Sequence, residues 1–464
     1  MGIIFDYTLT EGIAQLSYLI GDDAEGTAAI IDPRPDCKIY LKWARRHGVA
    51  ITHVLDTHNH ADYMSGAREL AAKTGATIYL APEPDQEYHF DFEAIRDGDR
   101  FAFGDTVLTA RHTPGHTPMH MAFEAAVKEK SDPWCVFTGD SLFVASVGRP
   151  DLAGRTEELS RALYDTIYKY FLKLDDGVII YPCHGKGSAC GPHIGDRLQS
   201  TIGYERHANA FLQFKNVEDF VQSVKDSAPA EPTHYARLKK TNAVGPPVTG
   251  GRPVIRALPP KEFQEAVKSG EAVVVDCRSM LAFGGGHVPC AINIPGGGEL
   301  SVYAGWMLDA DKPMLLILDD ETPLDDVLAL FMRTGFVLFS GYLAGGMKAW
   351  NNTGLPLATT PQVSVHEVKA HGGDWQILDV RAPEEWEEGH IPGATHFFVA
   401  DLPEGMPQLD RKQPVVTYCG TGYRASIAAS MLQAEGFEDV RTVPGSWTAW
   451  NACGYPIAES GENP

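Results

Sequence analysis

The chain has 464 residues, too many for one ordinary hydrophobic core, and about three domains are expected. Hydrophobic content of 44% and charged content of 22% are those of a water-soluble globular protein. A formal net charge of −22 argues against non-specific nucleic-acid binding, and no apolar run of about 18 residues predicts a membrane-spanning helix.

The first residues, Met1-Gly2-Ile3-Ile4-Phe5-Asp6, lack the basic and apolar regions of a secretory signal. The eight cysteines are scattered and form no CxxC pair. A disulfide framework is therefore not expected, and a reducing cytoplasmic setting is.

The first block, residues 1–242, mixes short strands with turns that bear His and Asp. Strands are predicted at Ile51–Asp56, Thr77–Leu80, Thr106–Ala110, Cys135–Thr138 and Val178–Tyr181. Four places offer metal ligands. His58, His60 and Asp62 follow the first of these strands, and His116 stands in Thr113-Pro114-Gly115-His116. Asp140 stands in Thr138-Gly139-Asp140-Ser141, and His184 in Pro182-Cys183-His184-Gly185. Small neighbours let backbone and ligand approach closely. One such histidine would mean little, but four clusters at strand ends point to a metal centre.

Gly245 to Pro253 is rich in Gly and Pro and reads as a linker. Two further blocks follow, 254–357 and 360–464, and they repeat each other. Asp276-Cys277-Arg278 matches Asp379-Val380-Arg381. Gly286-His287-Val288-Pro289 matches Gly389-His390-Ile391-Pro392, and Lys348-Ala349-Trp350-Asn351 matches Thr448-Ala449-Trp450-Asn451. Strands predicted at Ala272–Val275, Met314–Leu318 and Pro414–Tyr418 alternate with helices at Asp325–Thr334 and Ala425–Glu435. That alternation predicts doubly wound α/β domains with parallel sheets.

In the last block, Cys419-Gly420-Thr421-Gly422-Tyr423-Arg424 joins a predicted strand to a predicted helix. Backbone N–H groups in such a loop can point at the cysteine sulfur and, with the helix N-terminus, stabilise an anionic sulfur. Pro313 to Phe336 aligns without a gap on Pro414 to Phe437, which puts Leu318 at the place of Cys419 and Pro323 at that of Arg424. The middle loop, Leu318-Asp319-Asp320-Glu321-Thr322-Pro323, offers no nucleophile and carries three carboxylates. The block is read as catalytically inactive and as a scaffold.

The order of ligands in the first block resembles the metallo-β-lactamase superfamily, especially its glyoxalase II-like and persulfide dioxygenase-like branches. The resemblance implies an αββα sandwich. In two-metal members it would give one metal to His58, His60 and His116 and the other to Asp62, residue 63 and His184, with Asp140 bridging. Residue 63 is Tyr63, a neutral phenol and a poor ligand beside imidazole. The persulfide dioxygenase branch implies a single metal on His58, His116 and Asp140. Two imidazoles and one carboxylate with open positions form the facial triad of non-haem Fe(II) oxygenases. His60, Asp62 and His184 would then orient ligands or water around it. Ligand type alone allows Zn²⁺ as well. The stretch Gly148-Arg149-Pro150-Asp151 is similar to one after the metal Asp in that branch. Arg149 would then brace the loop through Asp151 or bind substrate, with Tyr63 and Lys186 as further candidate substrate contacts.

The last block resembles the rhodanese family in Asp379-Val380-Arg381, in Gly389 to Ala394 and in the Cys419–Arg424 loop. The resemblance implies Cys419 as the sulfur-accepting nucleophile and Arg424 as holder of the loop or of the substrate anion. Together the blocks resemble persulfide dioxygenase–rhodanese fusions. The implied function is twofold. One iron(II) per chain would serve oxidation of a thiol persulfide by O₂ to sulfite, and Cys419 would exchange sulfane sulfur with thiosulfate, persulfide or sulfite. A glyoxalase II-like thioester hydrolase fused to a rhodanese is the alternative, and a sulfur carrier in which only Cys419 matters is a third reading. The sequence names neither the thiol nor the oligomeric state, and a homo-oligomer is allowed.

Overall fold

Runs of alternating or continuous apolar residues build two six-stranded sheets in the first 252 residues. The first takes its strands in chain order: Ile3–Thr10, Gln15–Asp22, Thr27–Ile31, Ala50–Leu55, Thr77–Leu80 and Glu93–Ala94. The second runs Ser200–Thr201, Ile179–Pro182, Cys135–Gly139, Met121–Val127, Thr106–His112 and Arg100–Phe103. The sheets pack face to face through Leu16, Tyr18, Ile20, Phe103, Phe123 and Phe137. Tyr18 and Phe137 meet across the interface with ring centroids 5.1 Å apart. Helices Lys38–His47 and Ala67–Thr74 cover the outside of the first sheet, while Thr156–Asp165 and Val217–Asp226 cover the second. This is the expected αββα sandwich.

The computed structural model describes residues 2–128, 132–319, 323–371 and 373–459. They form two units, 1–252 with 332–335 and 253–331 with 336–464. No helix among the described residues is long and apolar enough to cross a membrane.

The second unit holds two parallel sheets, one per repeat. The first is ordered Ala257–Leu258, Phe339–Leu343, Met314–Ile317, Val273–Asp276, Ile292–Asn293. The second is ordered Thr395–His396, Gln376–Asp379, Val415–Tyr418, Val440–Thr442. Both contribute to one apolar core that includes Val275, Leu316, Phe331, Leu378, Val415, Cys419 and Ile427. On their other faces, Phe263, Phe283 and Trp350 pack in one repeat and Val365, Tyr418 and Trp450 in the other.

The repeat alignment holds in three dimensions. Val273 donates to the Pro313 carbonyl as Gln376 does to that of Pro414, both at 2.9 Å. Cys277 donates to Ile317 at 2.8 Å as Val380 does to Tyr418 at 3.0 Å. The helix after the Cys419 loop spans Tyr423–Ala434 and begins two residues before the predicted start, because Gly422 ends the loop directly on its first turn. Residues 320–322, half of the middle repeat's loop, lie outside the described residues.

Candidate functional site

All four ligand clusters of the first unit lie just beyond the ends of strands, where loops carry chemistry on a rigid frame. The structure brings His58, His116 and Asp140 together, with one ligand atom from each lying within 4.8 Å of the others, all buried. The Asp140 Oδ2 is 3.8 Å from His58 Nε2 and 3.5 Å from His116 Nε2.

Each histidine is aimed by its other nitrogen. The Nδ1 of His116 donates to the Arg149 carbonyl at 2.8 Å, and the Nδ1 of His58 is 2.9 Å from Thr57 Oγ1. Their Nε2 lone pairs are left for a cation, and His58 Nε2 and Asp140 Oδ2 have no hydrogen-bond partner. Buried acceptors without partners are costly unless something else binds them. Burial lowers the pKa of His58 and of His116. Burial alone would raise that of Asp140, but His184, His116 and His60 outweigh it and hold the carboxyl below the usual range. Neutral imidazoles and an ionised carboxylate are the protonation states a metal requires. The three residues fit a divalent metal ion.

The other predicted ligands surround this set. His184 is held between two carboxylates, with Nδ1 2.8 Å from Asp140 Oδ1 and Nε2 2.7 Å from Asp62 Oδ2. Burial would lower its pKa, yet Asp140, Cys190 and Asp62 raise it well above the ordinary value. His60 Nε2 lies 3.1 Å from Asp32 Oδ1. Tyr63 is fully buried against the His60 ring, with centroids 4.5 Å apart, and its hydroxyl has no hydrogen-bond partner.

Three positioning residues escaped the sequence reading. Asp32 accepts from the Thr57 N–H at 2.8 Å and its hydroxyl at 3.0 Å, and so ties down the start of the ligand loop. Asn242 donates to the carbonyls of His60 and Tyr63 and clamps the loop's far end. His120 accepts from the Asp140 N–H at 2.9 Å, which places its own proton on Nδ1. Burial, with His116, pushes its pKa down to about 3. Gly139, at φ 52°, is the glycine this arrangement requires, because a Cβ there would sit 2.4 Å from His120 Nε2. The available signal was small. Asp32 follows an apolar strand, and His120 is four residues past His116, but neither stands in a ligand motif.

In the second unit the Gly422 N–H points at Cys419 Sγ from 3.1 Å. The loop carbonyls turn the other way. Those of Cys419, Gly420 and Thr421 accept from the N–H groups of Trp447, Thr448 and Gly445 at 2.9, 3.0 and 3.1 Å. Fixing the carbonyls outward leaves the Gly422 amide facing the sulfur. The Arg424 guanidinium is held by Glu385, with Nη2 2.8 Å from Oε1 and a second contact through Nη1. Gly422, at φ 121°, holds a backbone conformation that L side chains rarely adopt, and the Met280 thioether lies against it.

The model of the metallo-beta-lactamase superfamily matches residues 11–184, and that of the rhodanese-like domain matches 259–353 and 364–453. The crystal structure of a metallo-beta-lactamase from Staphylococcus aureus subsp. aureus COL is 30% identical. The match covers 74% of this chain and 99% of that one, with a TM-score of 0.65.

The chain belongs to the metallo-beta-lactamase superfamily.

Among its superfamily relatives is a mitochondrial persulfide dioxygenase of Bos taurus, 29% identical over 216 residues, 44% of this chain and 74% of that protein. Another is a hydroxyacylglutathione hydrolase of Polaromonas sp., 32% identical over 190 residues, 41% of this chain and 66% of the hydrolase. A metallo-beta-lactamase domain followed by two rhodanese-like stretches is the order expected of a persulfide dioxygenase–rhodanese fusion. Within this superfamily member the two charged candidates for substrate contact stand differently. Arg149 is buried and engaged bidentately by Asp151, at 2.8 and 2.6 Å, and by the carbonyl of Ala189. Its own carbonyl aims His116, so its contacts are those of a loop brace. Lys186 is exposed and paired with Asp196 at 2.6 Å.

Proposed function

We propose that the first unit is an iron(II) persulfide dioxygenase and that Cys419 is a sulfane-sulfur carrier. One observation carries the first reading. The unpartnered His58 Nε2 and Asp140 Oδ2 converge with His116 Nε2, whereas both His184 nitrogens are committed to carboxylates and residue 63 is a phenol. Three ligands then hold one metal and leave adjacent positions open. Zn²⁺ suits the same donors; the iron assignment follows the resemblance to the persulfide dioxygenase branch and the loss of a ligand at Tyr63.

The bound metal would supply a site where O₂ and a persulfide sulfur meet. The chain's own part is to keep that meeting ordered. Thr57 and the Arg149 carbonyl fix the two imidazoles, and His184 fixes the carboxylate through Oδ1 while Oδ2 faces the histidines. Asp62, behind His184, steadies that ring's charge. The balanced reaction consumes R–S–SH, O₂ and water. It releases R–SH, sulfite and two protons.

At Cys419 the thiolate attacks the outer sulfur of R–S–SH. A new S–S bond forms to the cysteine, the old one breaks, and the departing thiolate takes up a proton. Sulfite or a second thiolate then removes the carried sulfur by the same displacement. No redox partner is needed. Sulfite made in one domain is a substrate for the other.

The test is Asp140→Ala in iron-loaded protein. Metal binding, O₂ uptake and sulfite formation on glutathione persulfide should be lost by at least about 100-fold, while sulfur transfer at Cys419 persists. Thioester hydrolysis without O₂ uptake by the unaltered protein would favour the hydrolase reading instead. Unchanged sulfite formation in Asp140→Ala would refute the metal assignment.

A further inference from the structure

The repeat of residues 254–357 lacks the nucleophile, yet three of its segments close on the loop that has it. The Met280 thioether lies against the α-carbon of Gly422. The Pro295 carbonyl accepts from the Tyr423 hydroxyl at 2.8 Å. The Tyr303 ring meets that of Tyr423 with centroids 5.3 Å apart. Asn293 adds a buried link to the first turn of the loop's helix, accepting from the Ser426 hydroxyl at 2.5 Å. Tyr303 and Tyr423 pack against the apolar core that contains Cys419. Tyr303 is only partly buried, and the Gly296–Gly297 turn and Glu299 before it are exposed.

The charges on this wall are informative. Tyr303 and Glu299 both lie within electrostatic reach of the Arg424 guanidinium. Arg424 is already neutralised by Glu385. The other arginine beside the loop, Arg381, is buried against Asp379 and lies over the Trp447 ring. Glu299 therefore adds a carboxylate near a guanidinium that is already paired.

We propose that the middle repeat completes the sulfur-transfer site, with Tyr303 as the wall that packs the organic part of a thiol persulfide and Glu299 as a rim charge that disfavours the thiosulfate dianion. Both are specificity-determining residues for the transfer at Cys419, so the proposal rests on the sulfur-carrier reading. The middle repeat is then part of the site as well as a scaffold.

The test uses the full chain, with glutathione persulfide and thiosulfate as donors. Tyr303→Ala should raise KM for glutathione persulfide at least about fivefold with kcat changed less than twofold, because a packing wall acts mainly in binding. A residue needed only for folding would lower the melting temperature and leave KM alone. Glu299→Gln, an exposed change that folding tolerates, should raise kcat/KM for thiosulfate about threefold at low salt, and the gain should fade at high salt. A readout independent of sulfur transfer is alkylation of Cys419, followed on its own peptide. Glu299→Gln should raise the rate with iodoacetate relative to neutral iodoacetamide. If the unaltered protein transfers no sulfur, the carrier reading fails, while the alkylation ratio still tests the rim. An unchanged KM in Tyr303→Ala, or an unchanged alkylation ratio in Glu299→Gln, overturns the proposal.

Discussion

In the repeat of residues 254–357, Arg278 reaches the Asp276 carboxylate at 2.6 Å and the Gly286 carbonyl at 2.8 Å; in 360–464, Arg381 reaches Asp379 at 2.6 Å and Gly389 at 2.7 Å. His287 bridges to Ala358 as His390 does to Ala458. The Trp350 indole donates to Pro356 at 2.9 Å, and that of Trp450 to Pro456 at 2.8 Å. The repeats diverge where Cys419 faces an amide and Leu318 does not offer a sulfur. A buried ion pair cannot lose one partner without stranding the other, so the frame resists change. The position of Cys419 and Leu318 holds no such ion pair, and its chemistry can disappear while the fold stays.

The largest expected effect falls on the loop. Cys419→Ser should cut sulfur transfer by at least about 100-fold, since the nucleophile itself is gone, and leave O₂ uptake intact. Adding Leu318→Cys to that variant should restore nothing. The middle loop has Asp319, Asp320 and Glu321 where the active one has Gly420, Thr421 and Gly422. Recovery of transfer would show that position alone, without the amide-lined loop, suffices.

The frame should respond equally in both repeats. Arg278→Met and Arg381→Met each leave a buried aspartate unpaired, at a cost of about 3–5 kcal/mol. Urea unfolding of the second unit should show losses matching within about 1 kcal/mol. A clearly smaller loss at Arg278 would mean that the inactive repeat has begun to relax its frame.

Acid should act on the middle repeat at His287. Burial pushes its pKa down to about 4 from the ordinary 6.5, with its Nδ1 held by the Phe283 carbonyl and its ring stacked on Phe283. The unfolded chain then binds the proton more readily than the folded one. The neutral ring's stability is fully present above pH 6.5 and is lost progressively as pH falls from 6.5 towards 4, by up to about 1.4 kcal/mol per pH unit. Substituting Phe at this site, His287→Phe, should flatten that slope in pH-dependent melting.

How much of this could be read from the residues depends on the distance over which each feature is decided. The His58–Asp62 cluster and the Cys419 loop are short stretches whose chemistry is local, and the repeat alignment placed Leu318 opposite Cys419 correctly. The strands at Ile3–Thr10, Gln15–Asp22 and Thr27–Ile31 lie outside the predicted set, because no ligand motif follows their apolar runs. Asp32, His120 and Asn242 act across 25, 20 and 179 residues of chain, so only the folded sheet brings them to their partners. Tyr303 is hidden for the same reason: nothing near it in the chain refers to Cys419.

The smallest effect sharpens the comparison furthest. Trp350→Phe and Trp450→Phe each delete one indole N–H bond to a proline carbonyl. Both prolines are exposed, so water can take the donor's place and the cost should be about 0.5–1.5 kcal/mol in either repeat. Function should still tell them apart. Trp450 lies on the helix Ser446–Ala452, and the start of that helix, with Gly445 just before it, holds the carbonyls of the Cys419 loop outward. Loosening it should lower sulfur-transfer kcat about two- to threefold. Trp350→Phe, with equal loss of stability, should leave kcat unchanged. Equal kcat values at matched stability would mean that the 445–448 turn holds the loop without help from the helix behind it.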